Sequence, residues 1–284
     1  SRTRRSEELR YSHLMNKQSP NQTGDSQTLL GPDDRPAFEV VNPGGVAELL
    51  LVCDHASNAV PKSLNRLGLA DDAFEGHIAY DIGAGGVARR MSEALDAQLV
   101  LAGYSRLNID LNRPLGHPDS IIEQSDGTAI PGNVDLTEAD RCDRIRSLFE
   151  PYHGAINRAL GRIWERSHTP ALLSVHSFSP GFGDTPRPWD VGVLWNRDPR
   201  ISVPLMEKLE ARGLHVGDNE PYSGRHLAYS IDMHGAAASI ANCVVEINQK
   251  QVYDEAGIAR WSEILSQVMG EILTIEGLHR FEQF

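Results

Sequence analysis

The chain is poor in the features that would mark it as secreted, membrane-spanning or bound to nucleic acid. It has 3 cysteines in 284 residues, Cys53, Cys142 and Cys243, and no Cys-x-x-Cys pair. Such a sparse, odd count argues against a disulfide framework and predicts reduced thiols in a cytosol. No Cys-x-x-Cys pair means no structural zinc knuckle. Basic residues are in deficit, with 27 Lys and Arg against 39 Asp and Glu and a formal net charge of -12. That excludes nonspecific nucleic-acid binding and attachment to anionic membranes, which need a net basic surface. A local arginine can still hold an anionic small molecule. No apolar run approaches the length of a membrane span. The basic start (Arg2, Arg4, Arg5) lacks the apolar segment of a secretory signal. There is no Gly-x-Ser-x-Gly nucleophile elbow and no phosphate-binding P-loop. Gly83, Gly85 and Gly86 precede a helix without making the dinucleotide fingerprint.

What is present is a series of short apolar runs that end abruptly in polar residues. Leu49 to Cys53 is wholly apolar and is followed at once by Asp54, His55, Ser57 and Asn58. A short apolar run of this kind fits a strand buried on both faces of a parallel sheet. Ala171 to His176 repeats the pattern and turns polar at Ser177. Ala241 to Asn248 repeats it again, with Glu246 among Val244, Val245 and Ile247. Ligands in open α/β sheets sit beyond the carboxyl ends of the strands. His55, His176 and Glu246 are therefore expected at one edge of one sheet.

Along the chain, residues 1–36 are polar and read as an arm, flexible or lying on the surface. Residues 37–284 read as one α/β domain, because strands alternate with helices from Leu49 onward and no linker interrupts them. Phe38 to Val41 is expected as a short edge strand, and Gln98 to Ala102 and Val191 to Trp195 as further strands. Leu107 to Leu111 alternates like a short strand. Helices are expected over Gly83 to Asp96, from Asp135 or Thr137 to about Ser167, over Val203 to Arg212, and from Asp254 to about Gly277. Pro151 should kink or split the second near Glu150. Residues 116–134 form a connection long enough to be functional or mobile.

Two His and one carboxylate form a common zinc set that leaves an open position for water. His55 and His176 supply the histidines. Asp81, in Ala79-Tyr80-Asp81-Ile82-Gly83, is the preferred carboxylate over Asn58, since an amide is a poor zinc ligand. Either histidine alone would more simply hydrogen-bond a strand end; the pair beside Glu246 favours Zn2+ or another divalent metal. Glu246 in an apolar strand is costly unless paired or used. Its pKa should rise, which suits a general base, though an ion pair with an arginine competes. Arg106 and Arg113 flank Asn112 in the segment 105–113, where either could bind a substrate carboxylate or pair with Asp110. Arg225 could line the same cleft. Ser177 is placed to contact substrate, or to act as a nucleophile in a metal-free reading.

Several blocks together, Cys53 to Pro61, Ala79 to Ala84, Ser105 to Pro114, Val175 to Pro180, Asp218 to Gly224 and Val244 to Asp254, resemble the N-formylglutamate amidohydrolase family in content and order. The resemblance covers roughly Leu49 to Asp254. The family is distantly similar to zinc carboxypeptidases, which implies a three-layer α/β/α fold of the carboxypeptidase or phosphorylase-hydrolase type. It implies a metallohydrolase acting on the linear amide of a small anionic N-acyl amino acid such as N-formylglutamate. Under it His55 and His176 resemble metal ligands, Glu246 the acid–base group and Arg113 the carboxylate binder. The carboxypeptidase comparison would put a third ligand near Asn58, and the amide there is a departure. That departure motivates an alternative: a non-catalytic protein that binds an acidic metabolite on the same fold. The Asp232-Met233-His234 loop points to a sibling of the histidine-degradation enzymes.

Overall fold

A computed structural model describes residues 29–166, 168–182, 185–226 and 228–284 of the chain. Seven strands form the central sheet: β1 (Phe38–Val41), β2 (Leu49–Cys53), β3 (Gln98–Ala102), β4 (Ala171–Phe178), β5 (Val191–Leu194), β6 (Val216–Asp218) and β7 (Asn242–Asn248). Across the sheet they run β1-β3-β2-β4-β7-β5-β6. The inner four, β3, β2, β4 and β7, are parallel to one another. β1 runs antiparallel on one edge. β5 pairs antiparallel with β7 and parallel with β6 on the other. The apolar runs are thus the strands buried on both faces, as their lack of alternation requires: every residue of β2, β3, β4 and β7 is buried.

Two helical layers cover those faces. On one side lie α1 (Ala84–Leu95), α4 (Pro199–Glu210) and α5 (Glu255–Ile272), whose Val87, Met91, Leu205, Trp261 and Leu265 pack on Leu51, Leu99, Leu173 and Val245. On the other lies the long helical stretch that begins with α2 (Glu138–Arg144) and continues as α3 (Glu150–Trp164). Its Tyr152, Ile156, Leu160 and Ile163 pack on Leu50, Val52, Val100, Leu172 and Val244. The result is an α/β/α sandwich. No helix among the described residues is long and apolar enough to cross a membrane. Cys53 and Cys243 are buried, and burial pushes both thiols up, so neither supplies a thiolate at neutral pH.

The sequence boundaries hold in most places. Thr137, rather than Asp135, caps α2, in a reciprocal capping box with Asp140. Pro151 does split this stretch: one π-helical turn, Ile145–Phe149, absorbs the break immediately before α3. That turn leaves the proline in the first turn of α3, where its missing N–H costs nothing. Other expectations need correction. Leu107 to Leu111 is not a strand but buried turns, its Leu107 packed with Leu67, Phe74, Ala79 and Ile130 in a small core of loops. The last helix ends at Ile272 instead of about Gly277. Of the expected arm, residues 1–28 lie outside the described residues. Leu29 is buried against the α3 face, and the Leu29 carbonyl accepts from the Ser63 hydroxyl.

Candidate functional site

The sheet topology puts three chemically active positions side by side. β2 pairs with β4 so that Val52 lies opposite Ser174. Two residues on, Asp54 and His55 leave the end of β2 just where His176 is reached on β4. β4 in turn pairs with β7 so that His176 lies opposite Glu246. Residues opposite each other on parallel strands share a face, so His176 and Glu246 point together toward the α3 side. The loop from Ala79 to Gly83 delivers Asp81 from the start of α1, held by its N–H to the His55 carbonyl at 2.9 Å.

His55, Asp81 and His176 offer ligand atoms that all lie within 4.8 Å of one another. His176 Nδ1 is 2.7 Å from Asp81 Oδ2, and His55 Nδ1 is 3.4 Å from the same oxygen. The outer ring nitrogens face two other carboxylates. His176 Nε2 lies 3.0 Å from Asp54 Oδ2, and His55 Nε2 lies 2.7 Å from Asp110 Oδ1. A carboxylate at each Nε2 fixes the proton there and turns each Nδ1 lone pair inward. Two lone pairs and a carboxylate oxygen then converge on one point, which is unfavourable unless a proton or a cation sits between them. Buried His55 Nδ1 makes no hydrogen bond among the described residues. Carboxylate–histidine pairs behind inward-facing nitrogens are the usual support of a bound metal. The donor set of two nitrogens and one oxygen therefore fits a divalent cation such as Zn2+.

The electrostatics agree. Burial, then the Arg106 charge, lowers the His55 pKa to about 4 against the pull of Asp110, leaving it neutral as a ligand must be. Burial also works against a charged His176, but the Asp54 hydrogen bond and the Glu246 and Asp54 charges outweigh it and raise its pKa. Without a cation, the proton that His176 attracts occupies the same gap. Burial would raise Asp54 and Asp110, yet hydrogen bonds and charges from His176 and His55 keep both well below the usual carboxylate range. Burial raises Glu246, with His176 and Arg106 opposing, and its Oε2 is buried with no partner among the described residues. The carboxylates Asp54, Asp81, Asp110 and Glu246 outnumber the nearby guanidiniums Arg106, Arg113 and Arg187. A divalent cation would reverse that balance and favour an anionic ligand.

A cavity of about 150 Å³ opens onto this centre, lined by His55, Asp81, Arg106, Asn112, Arg113, His176, Ser177 and Glu246, with His77, Tyr222 and Gln249. Most of the residues expected from sequence thus meet in one place. Two expectations are corrected. Arg225 is exposed and outside the cavity lining, its N–H turned back to the Ser223 hydroxyl. Arg106 pairs with Asp81 and not with Asp110, holding Oδ1 while Oδ2 faces the histidines. Asn58 is turned away, its amide donating to the Phe74 carbonyl at 2.9 Å. Ser177 lines the cavity, but its hydroxyl donates to the Ile82 carbonyl at 2.8 Å and accepts from Gln249 Nε2 at 3.3 Å. Arg113 donates to the Asn112 carbonyl from Nη1 and leaves Nε buried and unpartnered among the described residues.

Sequence reasoning missed the roles of Asp54 and Asp110. Both lie in the blocks that carried the resemblance, yet their histidine partners are remote in sequence. Asp54 is 1 % exposed and accepts from Tyr152 Oη at 2.7 Å, Ser230 Oγ at 2.9 Å and Ser174 Oγ at 3.3 Å as well as from His176. Four donors keep a carboxylate ionised in the interior, where among the described residues no arginine pairs with it.

Such a centre at the carboxyl edge of a largely parallel sheet, in this family's setting, defines an α/β amide hydrolase. The chain belongs to the N-formylglutamate amidohydrolase family, whose family model matches residues 47–253. It is similar to a gene product of Agrobacterium tumefaciens, at 30% identity and a TM-score of 0.84 over 87% of this chain and 98% of that one. It also resembles an N-formylglutamate amidohydrolase from Ralstonia eutropha JMP134, at 19% identity and a TM-score of 0.69 over 84% of this chain and 97% of that one. A comparison with curated proteins finds no match.

Proposed function

We propose that the protein is a divalent-metal amidohydrolase that cleaves the amide of a small N-acyl amino acid bearing a carboxylate, of the N-formylglutamate type. The carrying observation is the convergence of His55, Asp81 and His176 on one point beside Glu246, in a cavity that also holds Arg106 and Arg113. His55 and His176 through Nδ1, and Asp81 through Oδ2, would hold Zn2+ or a similar ion. When bound, that ion supplies Lewis acidity toward the acyl carbonyl and lowers the pKa of water.

The remaining work falls to the protein. Glu246, raised by burial, takes a proton from the attacking water at its free Oε2 and passes it to the leaving amine nitrogen. Arg113 receives the amino-acid carboxylate and fixes the amide relative to Glu246. Arg106 holds Asp81 Oδ1, so that Oδ2 alone is presented. The cavity is small enough to favour a free amino acid derivative over a polymer.

The test is elemental analysis of protein purified without a metal-affinity tag, alongside His176→Ala, followed by a screen of N-acyl amino acids. About one divalent ion per chain, lost in the variant, with hydrolysis of an acidic N-acyl amino acid, is the expected result. Wild-type protein that takes up no metal after dialysis against zinc would remove the proposal.

A further inference from the structure

The block Asp218-Asn219-Glu220-Pro221-Tyr222-Ser223-Gly224 has no task in the reaction above, yet the fold invests heavily in its placement. Asn219 Oδ1 accepts from the Trp195 N–H at 3.1 Å and the Gly224 N–H at 2.8 Å, and its own N–H donates to the Val193 carbonyl at 3.0 Å. Three glycines let the backbone close in. A Cβ on Gly192 would lie 2.0 Å from the Glu220 oxygen, one on Gly217 would lie 2.7 Å from the same oxygen, and one on Gly224 would lie 2.5 Å from the Trp195 nitrogen. No real Cβ fits at such distances, so this loop is pinned against β5 and β6 by contacts that only glycine allows.

What the loop delivers is the ring of Tyr222 into the cavity wall, with Arg106, Arg113 and Glu246. The Tyr222 ring stacks under the Arg187 guanidinium, 4.8 Å from its centroid, while Phe178 takes the other contact at 5.9 Å. Arg187 is tied to Ser179, donating to its carbonyl at 3.3 Å and its hydroxyl at 3.1 Å. The aromatic body is thereby fixed. The Tyr222 hydroxyl makes no hydrogen bond among the described residues. The guanidiniums that share or pack on its wall, Arg106, Arg113 and Arg187, are donors only and cannot accept its proton. A rigidly aimed phenol beside them adds a neutral donor for an oxygen of a bound anion.

Resting on the reading of this cavity as the substrate site, we propose that Tyr222 is a specificity-determining residue whose hydroxyl donates to an anionic oxygen of the bound N-acyl amino acid, alongside Arg106 and Arg113. A hydrogen bond to a charged group contributes enough that its loss should weaken binding about tenfold to hundredfold. The ring and its packing on Arg187 are untouched by Tyr222→Phe, so the variant isolates the hydroxyl.

The experiment uses zinc-loaded full-length protein, with glutarate as a non-hydrolysable dicarboxylate probe in calorimetry and N-formyl-L-glutamate as substrate. Tyr222→Phe is expected to unfold at the wild-type temperature, to bind glutarate about tenfold or more weakly, and to show its kinetic loss mainly in KM. Wild-type glutarate affinity and wild-type KM in Tyr222→Phe would overturn the proposal. Wild-type protein that neither binds glutarate nor changes KM through the variant would overturn it too. Glutarate binding that depends on Tyr222, with no hydrolysis of any N-acyl amino acid, would sink the hydrolase reading and leave this assignment standing.

Discussion

His176 Nε2 lies 3.0 Å from Asp54 Oδ2, within a carboxylate that Tyr152, Ser174 and Ser230 also address. The pairing orients the imidazole so that Nδ1 faces Asp81 and His55. It also ties the centre to the substrate arm, because the Ser230 N–H donates to Asn112 Oδ1 at 3.0 Å, next to Arg113. Asp54→Asn keeps the shape but loses the charge that holds the Nε2 proton. Metal affinity, measured by chelator competition, should fall about 10- to 100-fold. Unchanged affinity would show that Asp54 does not support the ligand.

Glu246 is assigned the proton transfers. Glu246→Gln should keep its metal content and lower kcat by about 10²- to 10⁴-fold. Near-wild-type turnover with metal bound would remove Glu246 from the chemistry.

The same group sets a pH dependence. Burial raises the Glu246 carboxyl above its ordinary 4.5, and a base works only when deprotonated. The profile of kcat/KM for the metal-loaded enzyme should therefore fall on the acid side as Glu246 takes up its proton. Glu246→Gln should abolish that limb in whatever activity remains. An acid limb that persists unchanged in Glu246→Gln would contradict the role.

Stability should drain with acid for a separate reason. His153 Nδ1 lies 2.8 Å from His234 Nε2, and His234 Nδ1 lies 2.9 Å from Asn157 Oδ1. Burial lowers the His234 pKa from 6.5 to about 4, with the His153 charge adding to it. Below pH 6.5 the unfolded chain takes up the proton first, so stability is complete above that pH and is lost down to about pH 4. His234→Gln should flatten this slope by about 3 kcal/mol between the two limits, read from denaturant midpoints with chelator present. An unchanged slope would place the titration elsewhere.

Arg144 is 1 % exposed and binds the long connection to the segment that carries the arginines. Its Nη1 donates to the Asn108 carbonyl at 2.8 Å and Asn133 Oδ1 at 2.6 Å, and its Nη2 to the Gly132 carbonyl at 2.8 Å. Arg144→Met leaves those acceptors buried without donors. Loss of about 2–4 kcal/mol in chemical unfolding is expected. Arg144→Lys should recover little of it, since one ammonium cannot reproduce the fork. Full recovery by lysine would refute the geometric argument.

Much of the fold was legible from local pattern. The apolar runs of β2, β4 and β7 are continuous because both faces are covered, and that is visible residue by residue. Their polar ends mark where a carboxyl-edge site begins, which is how His55, His176 and Glu246 stand out. The alternation of Leu107 to Leu111 misled, because buried turns can alternate as strands do when they pack between a loop core and the main core. Arg225 misled because a polar loop near the site looks the same in sequence whether its side chain turns in or out.

The sequence by itself determined the class of fold, the strand ends that bear the chemistry, and the family, because each rests on residues close together in the chain or on the order of short blocks. Only the tertiary structure decided the pairings. Arg106 with Asp81 spans 25 residues, His55 with Asp110 spans 55, and His176 with Asp54 spans 122. Such partners depend on strand order and register, which bring β2 between β3 and β4 and set His176 opposite Glu246. Local periodicity reports which face a side chain takes, and it carries no information on which distant element shares that face.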